Sequence, residues 1–141
     1  MATFTKIDKF TLNLGKKVFN LSTDQLKVAL TNTAPTVSTV NQYSDLTSPL
    51  ATTNLSGATP FNITTTSFTQ TSGTAKLILA DLVLTASGGS VGPFRYIVLY
   101  SDTATNKEII CFYDYGSSYT MTDATTFTID FDASTGVLTI V

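Results

Sequence analysis

At 141 residues the chain suits one domain, 1–141, which can bury a core without metal or disulfide help. Its formal charge is −2, with seven lysines and one arginine scattered along it, so no basic stripe exists for a nucleic acid. There is no histidine, one cysteine and no apolar run near the roughly 18 residues of a membrane span, which argues against Ser/His/Asp hydrolysis, Cys/His metal sites, disulfides and a membrane partner.

Twenty-eight residues are threonine, against nine aspartates and a single glutamate. Threonine is β-branched and sits easily on a pleated, half-buried surface. The expected fold class is mainly β, an antiparallel sandwich or barrel with one N-terminal amphipathic helix. Six Tyr and nine Phe supply enough apolar bulk to rule out a disordered chain.

In chain order, Phe4, Ile7, Phe10, Leu14 and Val18 recur every three or four residues and predict a helix over about 4–19, weakened at Gly15. The period then changes to two. Leu26, Val28 and Leu30 alternate with Lys27 and Thr31, which predicts a half-buried strand over 25–31.

From Val28 to Ala75 the only charged side chain is Asp45. Two readings of 32–60 stay open. One is a long loop leading to a strand near 61–71. The other is a low-charge arm that docks on another protein, with Tyr43, Leu46, Leu50, Leu55 and Phe61 as capsid-contact or oligomer-contact residues, since interface cores are poor in charge and rich in aromatics.

The rest, 61–141, reads as the main β body. Strands are expected over 74–85 with a break near Asp81, over 94–100 as a central strand, over 107–115, over 126–132 and over 137–141. Turns are expected at Ser87–Ser90, at Gly116-Ser117-Ser118 and at Ala133–Gly136.

Few groups suggest chemistry. Asp130-Phe131-Asp132-Ala133-Ser134-Thr135-Gly136 starts like a calcium loop, but its glycine comes one place late and no acid closes it. Asp130 and Asp132 read better as the solvent face of a strand entering a hairpin. Arg95 either clamps a ligand carboxylate or, the favoured reading, pairs with Asp114 or Asp81 on a neighbouring strand. Tyr113, Tyr115 and Tyr119 with Asp114 suggest either a sugar-stacking platform or core packing with hydroxyls at the rim. Cys111, in an apolar run, reads as an inert buried thiol. Ser87–Pro93 is glycine-rich but lacks the lysine of a phosphate loop. No catalytic residue, metal site or cofactor is expected.

Lys27–Pro35, Gly92–Ala104, Asp114–Ser118 and Thr126–Leu138, with the amphipathic start before Lys27, resemble a family of small virion structural proteins of tailed bacteriophages. The resemblance leaves out the Thr-rich middle. It implies a capsid decoration (cement) protein, made in the host cytoplasm and placed on the virion surface. It also implies the major capsid protein of a phage shell as partner, no catalytic residues, and self-association, with a trimer expected because decoration proteins commonly sit on symmetry axes. The alternatives are a tail or fibre component that recognises a host glycan through Tyr113–Tyr119, and, weakest, an enzyme acting on cell-wall sugar through Asp123, Asp130 or Asp132.

Overall fold

Ten strands, one short helix and a 3-10 turn make up residues 2–141, the part of the chain that the computed structural model describes. They are β1 (Thr3–Lys6), α1 (Phe10–Gly15), β2 (Leu26–Thr31), the 3-10 turn Tyr43–Asp45, β3 (Asn62–Ile63), β4 (Thr65–Thr71), β5 (Thr74–Leu79), β6 (Leu82–Thr85), β7 (Val91–Ser101), β8 (Ile109–Met121), β9 (Thr126–Ile129) and β10 (Leu138–Ile140). The fold is mainly β and antiparallel, as the composition implies. A five-stranded sheet runs β1-β8-β7-β2-β3, a three-stranded sheet β10-β5-β4, and β6 pairs with β9.

β7 is central because its sequence is apolar on both faces. Ile97 and Leu99 point one way, into a core with Leu26, Val28, Leu30 and Cys111 of the large sheet. Leu77, Leu79 and Leu138 of the three-stranded sheet and Leu84 and Ile129 of the β6–β9 pair complete that core. The smaller sheets thus close over one face of the large one, a sandwich-like arrangement. Val98 and Tyr100 point the other way, into a second cluster with Ile7, Ala29, Ile109 and Phe112. Burying each large apolar side chain in these clusters contributes about 1.5–3 kcal/mol.

The second cluster is roofed by irregular chain. Val37, Val40, Tyr43 and Leu46 lie over it. Backbone hydrogen bonds hold this roof down: Tyr43 N–H to the Lys107 carbonyl (3.0 Å), Ile109 N–H to Asn41 (2.9 Å) and Asp8 N–H to Val37 (3.2 Å). Further on, Leu50 N–H reaches the Leu30 carbonyl (2.8 Å) on a stretch of β2 that β3 does not cover.

Two expectations are corrected. The helix expected over 4–19 is only Phe10–Gly15. Thr3 and Thr5 favour a strand, and β1 finds a ladder on β8 through Phe4↔Tyr113 and Thr5↔Phe112. The apolar stripe is divided: Ile7 enters the second cluster and Phe10 the first. The helix stops where Lys17 takes a left-handed φ of 60°, with Val18 N–H bonding Asn13 (2.9 Å) and Lys17 N–H bonding Leu14 (3.1 Å), a Schellman ending.

The second correction is at Gly116-Ser117-Ser118, which is not a hairpin turn. β8 runs through it, and the register to β7 jumps between Phe94↔Tyr119 and Tyr96↔Asp114. A wide bulge results, opposite Arg95 alone. Gly116 at φ 97° permits the bend. Past the bulge, across from Thr120, Gly92 at φ 139° lies where a Cβ would meet the Tyr119 carbonyl at 2.9 Å. Only glycine lets the two strands approach there.

Candidate functional site

The bulge sets up the most distinctive surface of the molecule. Arg95 Nε donates to Asp114 Oδ1 (2.7 Å) and its Nη2 to Oδ2 (2.9 Å), a bidentate fork across β7 and β8. Asp114 Oδ1 also accepts from Gly116 N–H (2.8 Å), so the same carboxylate ties down the bulge. The Arg95 guanidinium, with help from that N–H, holds the Asp114 carboxyl below the usual carboxylate range. Arg95 therefore does what a structural pair does, with Asp114 as its partner. Asp81 bonds elsewhere, its Oδ1 accepting from Phe131 N–H (2.9 Å).

Pinned in this way, the bulge projects Tyr115 outward, 43% exposed, over Phe127 (ring centres 5.5 Å apart). Tyr113, on the same face, meets Phe4 (5.6 Å) and Phe131 (6.3 Å) edge-on. Together with β9 and the turn after it, these rings line an open groove of about 880 Å³ beside β1. Burial pushes the Tyr113 hydroxyl above its ordinary range. Phe4, 40% exposed, forms part of the groove's wall at the sheet edge.

Three carboxylates, Asp81, Asp130 and Asp132, line the groove, and no lysine or arginine does. Asp132 closes the turn into β10. Its Oδ1 accepts from Ser134 N–H (2.7 Å), Ser134 Oγ (2.7 Å) and Thr135 N–H (3.0 Å), and its Oδ2 from the Thr135 hydroxyl. The Thr135 hydroxyl foremost, then these other donors, hold Asp132 far below the usual carboxylate range. Its oxygens are thus committed to the turn, but the expected hairpin is corrected: β9 ends at Ile129, and the turn carries the chain from the β6–β9 pair to β10 on β5, in a different sheet. Among the described residues no group of three or more Cys, Asp or Glu side chains is placed to hold a metal ion.

The remaining sequence candidates lie elsewhere. Leu46 and Leu55 are buried, in the second and first clusters respectively. Leu50 and Phe61 pack half-buried on the first cluster and Tyr43 on the second, where its ring is 5.0 Å from Tyr100. These five side chains pack against the protein's own clusters, with Val37–Leu46 roofing the second and Leu50, Leu55 and Phe61 lying on the first. Cys111 is fully buried, and desolvation pushes its thiol above the ordinary range. Asp123 accepts from Gly88 and Ala124 N–H (2.9 and 3.0 Å), joining two turns. Tyr119 packs on Phe94 and Phe127 (5.8 and 5.4 Å).

Phe4, Phe127 and Phe131 are groove residues that sequence reasoning assigned only to a helix stripe or an inward strand face. The alternation Thr3-Phe4-Thr5 was the signal for β1. Comparison with known proteins finds no matching family model, no matching curated protein and no matching solved structure. No helix among the described residues is long and apolar enough to cross a membrane.

Proposed function

We propose that this protein is a bacteriophage virion accessory protein that binds the outside of the capsid and stabilises it, in the manner of a decoration or cement protein. One observation carries the reading most: a solvent-open aromatic groove stands on a β body whose other polar and charged groups are largely committed to its own turns and strand pairs. Such a surface suits adhesion. Of the groove's carboxylates, Asp132 serves the turn into β10 and Asp81 holds Phe131 N–H, which are structural duties. The long Thr-rich segment is tied to the body by backbone bonds at several points, so it offers a folded surface for docking. Many copies add by multivalency, so each contact can be modest. We take the partner to be the major capsid protein and the assembly to be a trimer on a symmetry axis.

Purified protein should cosediment with capsids stripped of accessory proteins and raise their resistance to heat. Failure to cosediment at micromolar concentration removes the proposal. A second reading, a tail or fibre component recognising a host glycan, draws on the exposed Tyr115 ring beside Asp130. Labelling of the tail on intact particles, with glycan binding lost in Tyr115→Ala, would establish it in place of the first.

A further inference from the structure

β1 is an edge strand, and its pairing determines which of its backbone groups are free. Ile7 N–H donates to the Ile110 carbonyl (3.2 Å), and the β1–β8 register places Thr5 opposite Phe112 and Thr3 opposite Asp114. Antiparallel pairs alternate, so Thr3, Thr5 and Ile7 turn their backbone groups toward β8. The N–H and C=O groups of Phe4 and Lys6 then point away from the sheet, and among the described residues no backbone group meets them.

Proteins commonly blunt such an edge with a charged side chain. Here Lys6 donates to Thr11 Oγ1 (3.0 Å) and its ammonium lies over the Phe10 ring (6.0 Å), so its charge is already engaged within the protein. The edge borders the groove, because Phe4 belongs to both. A strand laid along β1, about 4.8 Å away, would direct every second side chain over the aromatic floor.

We infer that β1 and the adjoining groove receive an extended, basic segment of a partner protein, which adds to the central sheet as a further strand. This deepens, and rests on, the reading of the groove as a docking surface. Backbone bonds to Phe4 and Lys6 give the segment its alignment. Its apolar side chains meet Tyr113, Tyr115 and Phe127. Its lysines or arginines meet Asp130, with the Asp132 charge behind it adding to the field, and a guanidinium over the Tyr115 face adds a cation–π contact. A second copy fits poorly, since β1-to-β1 pairing would set two carboxylate-lined grooves side by side. A glycan fits less well than a strand, because both Asp132 oxygens and one Asp81 oxygen are already taken by the protein's own donors.

The test uses a short capped peptide that alternates threonine with phenylalanine and lysine, and a counterpart with glutamate for lysine. By heteronuclear NMR of the full chain, the basic peptide should bind and slow amide exchange at Phe4 and Lys6 by about tenfold or more at saturation. Asp130→Lys should weaken binding about five- to tenfold. Lys6→Pro removes an outward donor without touching the β1–β8 ladder, a placement edge strands tolerate, and should abolish binding. Lys6→Ala should retain it, and thermal melts check that both variants fold. Equal binding of the glutamate peptide, unchanged exchange at both amides, or groove shifts produced only by free oligosaccharides would overturn the inference. Lys6→Pro that cosediments with capsids as well as Lys6→Ala removes this inference and leaves the capsid reading. Wild type that binds the peptide but no capsid does the reverse.

Discussion

The two faces of the five-stranded sheet are covered in different ways. One carries strands: β4–β6, β9 and β10 bring regular, alternating apolar rows onto Leu26, Val28, Leu30 and Leu99. The other carries loop: Val37, Val40, Tyr43 and Leu46 are separated by Thr, Ser, Asn and Gln, and nothing there is regular beyond one 3-10 turn. Both solutions exclude water. A sheet covers through many side chains locked by a ladder, whereas a roof of loop relies on a few side chains and on backbone bonds to distant strands. The second face should therefore be softer and open locally before the whole domain does.

One leucine from each side of the sheet tests this at its largest scale. Leu99 is fully buried in the strand-covered core. Leu99→Ala should cost about 4 kcal/mol, with loss of cooperative stability everywhere, as a denaturant melt would register. Leu46, on the roof, should cost about 2 kcal/mol as alanine, because irregular chain relaxes into the space more readily. The readout that separates them is amide exchange at Ile109, whose N–H bonds the roof at Asn41 (2.9 Å). Leu46→Ala should speed it by local opening, and equal effects of both changes at every amide would erase the distinction between the faces.

That contrast also explains what could be read from the chain beforehand. Strands with their own period were legible: β2, β5 and β6 with a break between them at Ala80-Asp81, the central β7, β9 and β10. An acid partner for Arg95 was legible because a lone cation in an apolar strand needs one across the ladder, while the choice of Asp114 over Asp81 came from the β7–β8 register. Misread elements are those whose conformation depends on non-local partners. Phe4 and Ile7 share a helical spacing, yet β8 offers β1 a ladder worth more than the helix. Gly116-Ser117-Ser118 has turn composition, but Asp114 and Arg95 fold it into a bulge within β8. The roof has no period at all, since its bonds go to Lys107, Leu30 and Ile109, positions that local pattern does not reveal. The groove was half visible for the same reason. Tyr113 and Tyr115 stood out, whereas Phe4, Phe127 and Phe131 join them only through tertiary pairing.

Titration probes the two faces from inside. Cys111 lies in the strand-covered core and Tyr100 in the loop-roofed cluster, and desolvation raises both above their ordinary values. A group whose acidity is suppressed by folding loses its proton first in the unfolded chain. Its contribution is intact below the unfolded value and is lost as pH rises beyond it. Stability should hold to about pH 8.5, then fall by about 1.4 kcal/mol per pH unit as unfolded Cys111 ionises, and more steeply above about pH 10 as Tyr100 and Tyr113 follow. Cys111→Ala should remove the first limb and keep the second. An unchanged slope between pH 8.5 and 10 in that variant would show that the core thiol is not the group responsible. With no histidine in the chain, no side chain has its ordinary titration range between pH 5 and 8.

The smallest expected effect concerns the one charge in the roof. Asp45 Oδ2 accepts from Asn41 N–H (2.9 Å) and Gln42 N–H (3.2 Å), closing the capping box of the 3-10 turn that sets Tyr43 and Leu46 over the second cluster. This gives a physical reason for a carboxylate in an otherwise uncharged stretch: it satisfies the N–H groups of Asn41 and of the N-cap residue Gln42, just ahead of the turn. Asp45→Ala should cost about 1 kcal/mol, the usual value of a lost cap, and Asp45→Asn, which keeps an acceptor oxygen, should recover most of it. Both changes should act through the roof alone, speeding exchange at Tyr43 and Ile109 while leaving the β5–β10 amides untouched. If Asp45→Ala instead loosened β5 and β10 to the same degree, the roof would be part of one cooperative unit with the strand-covered core, and the two faces would differ in appearance only.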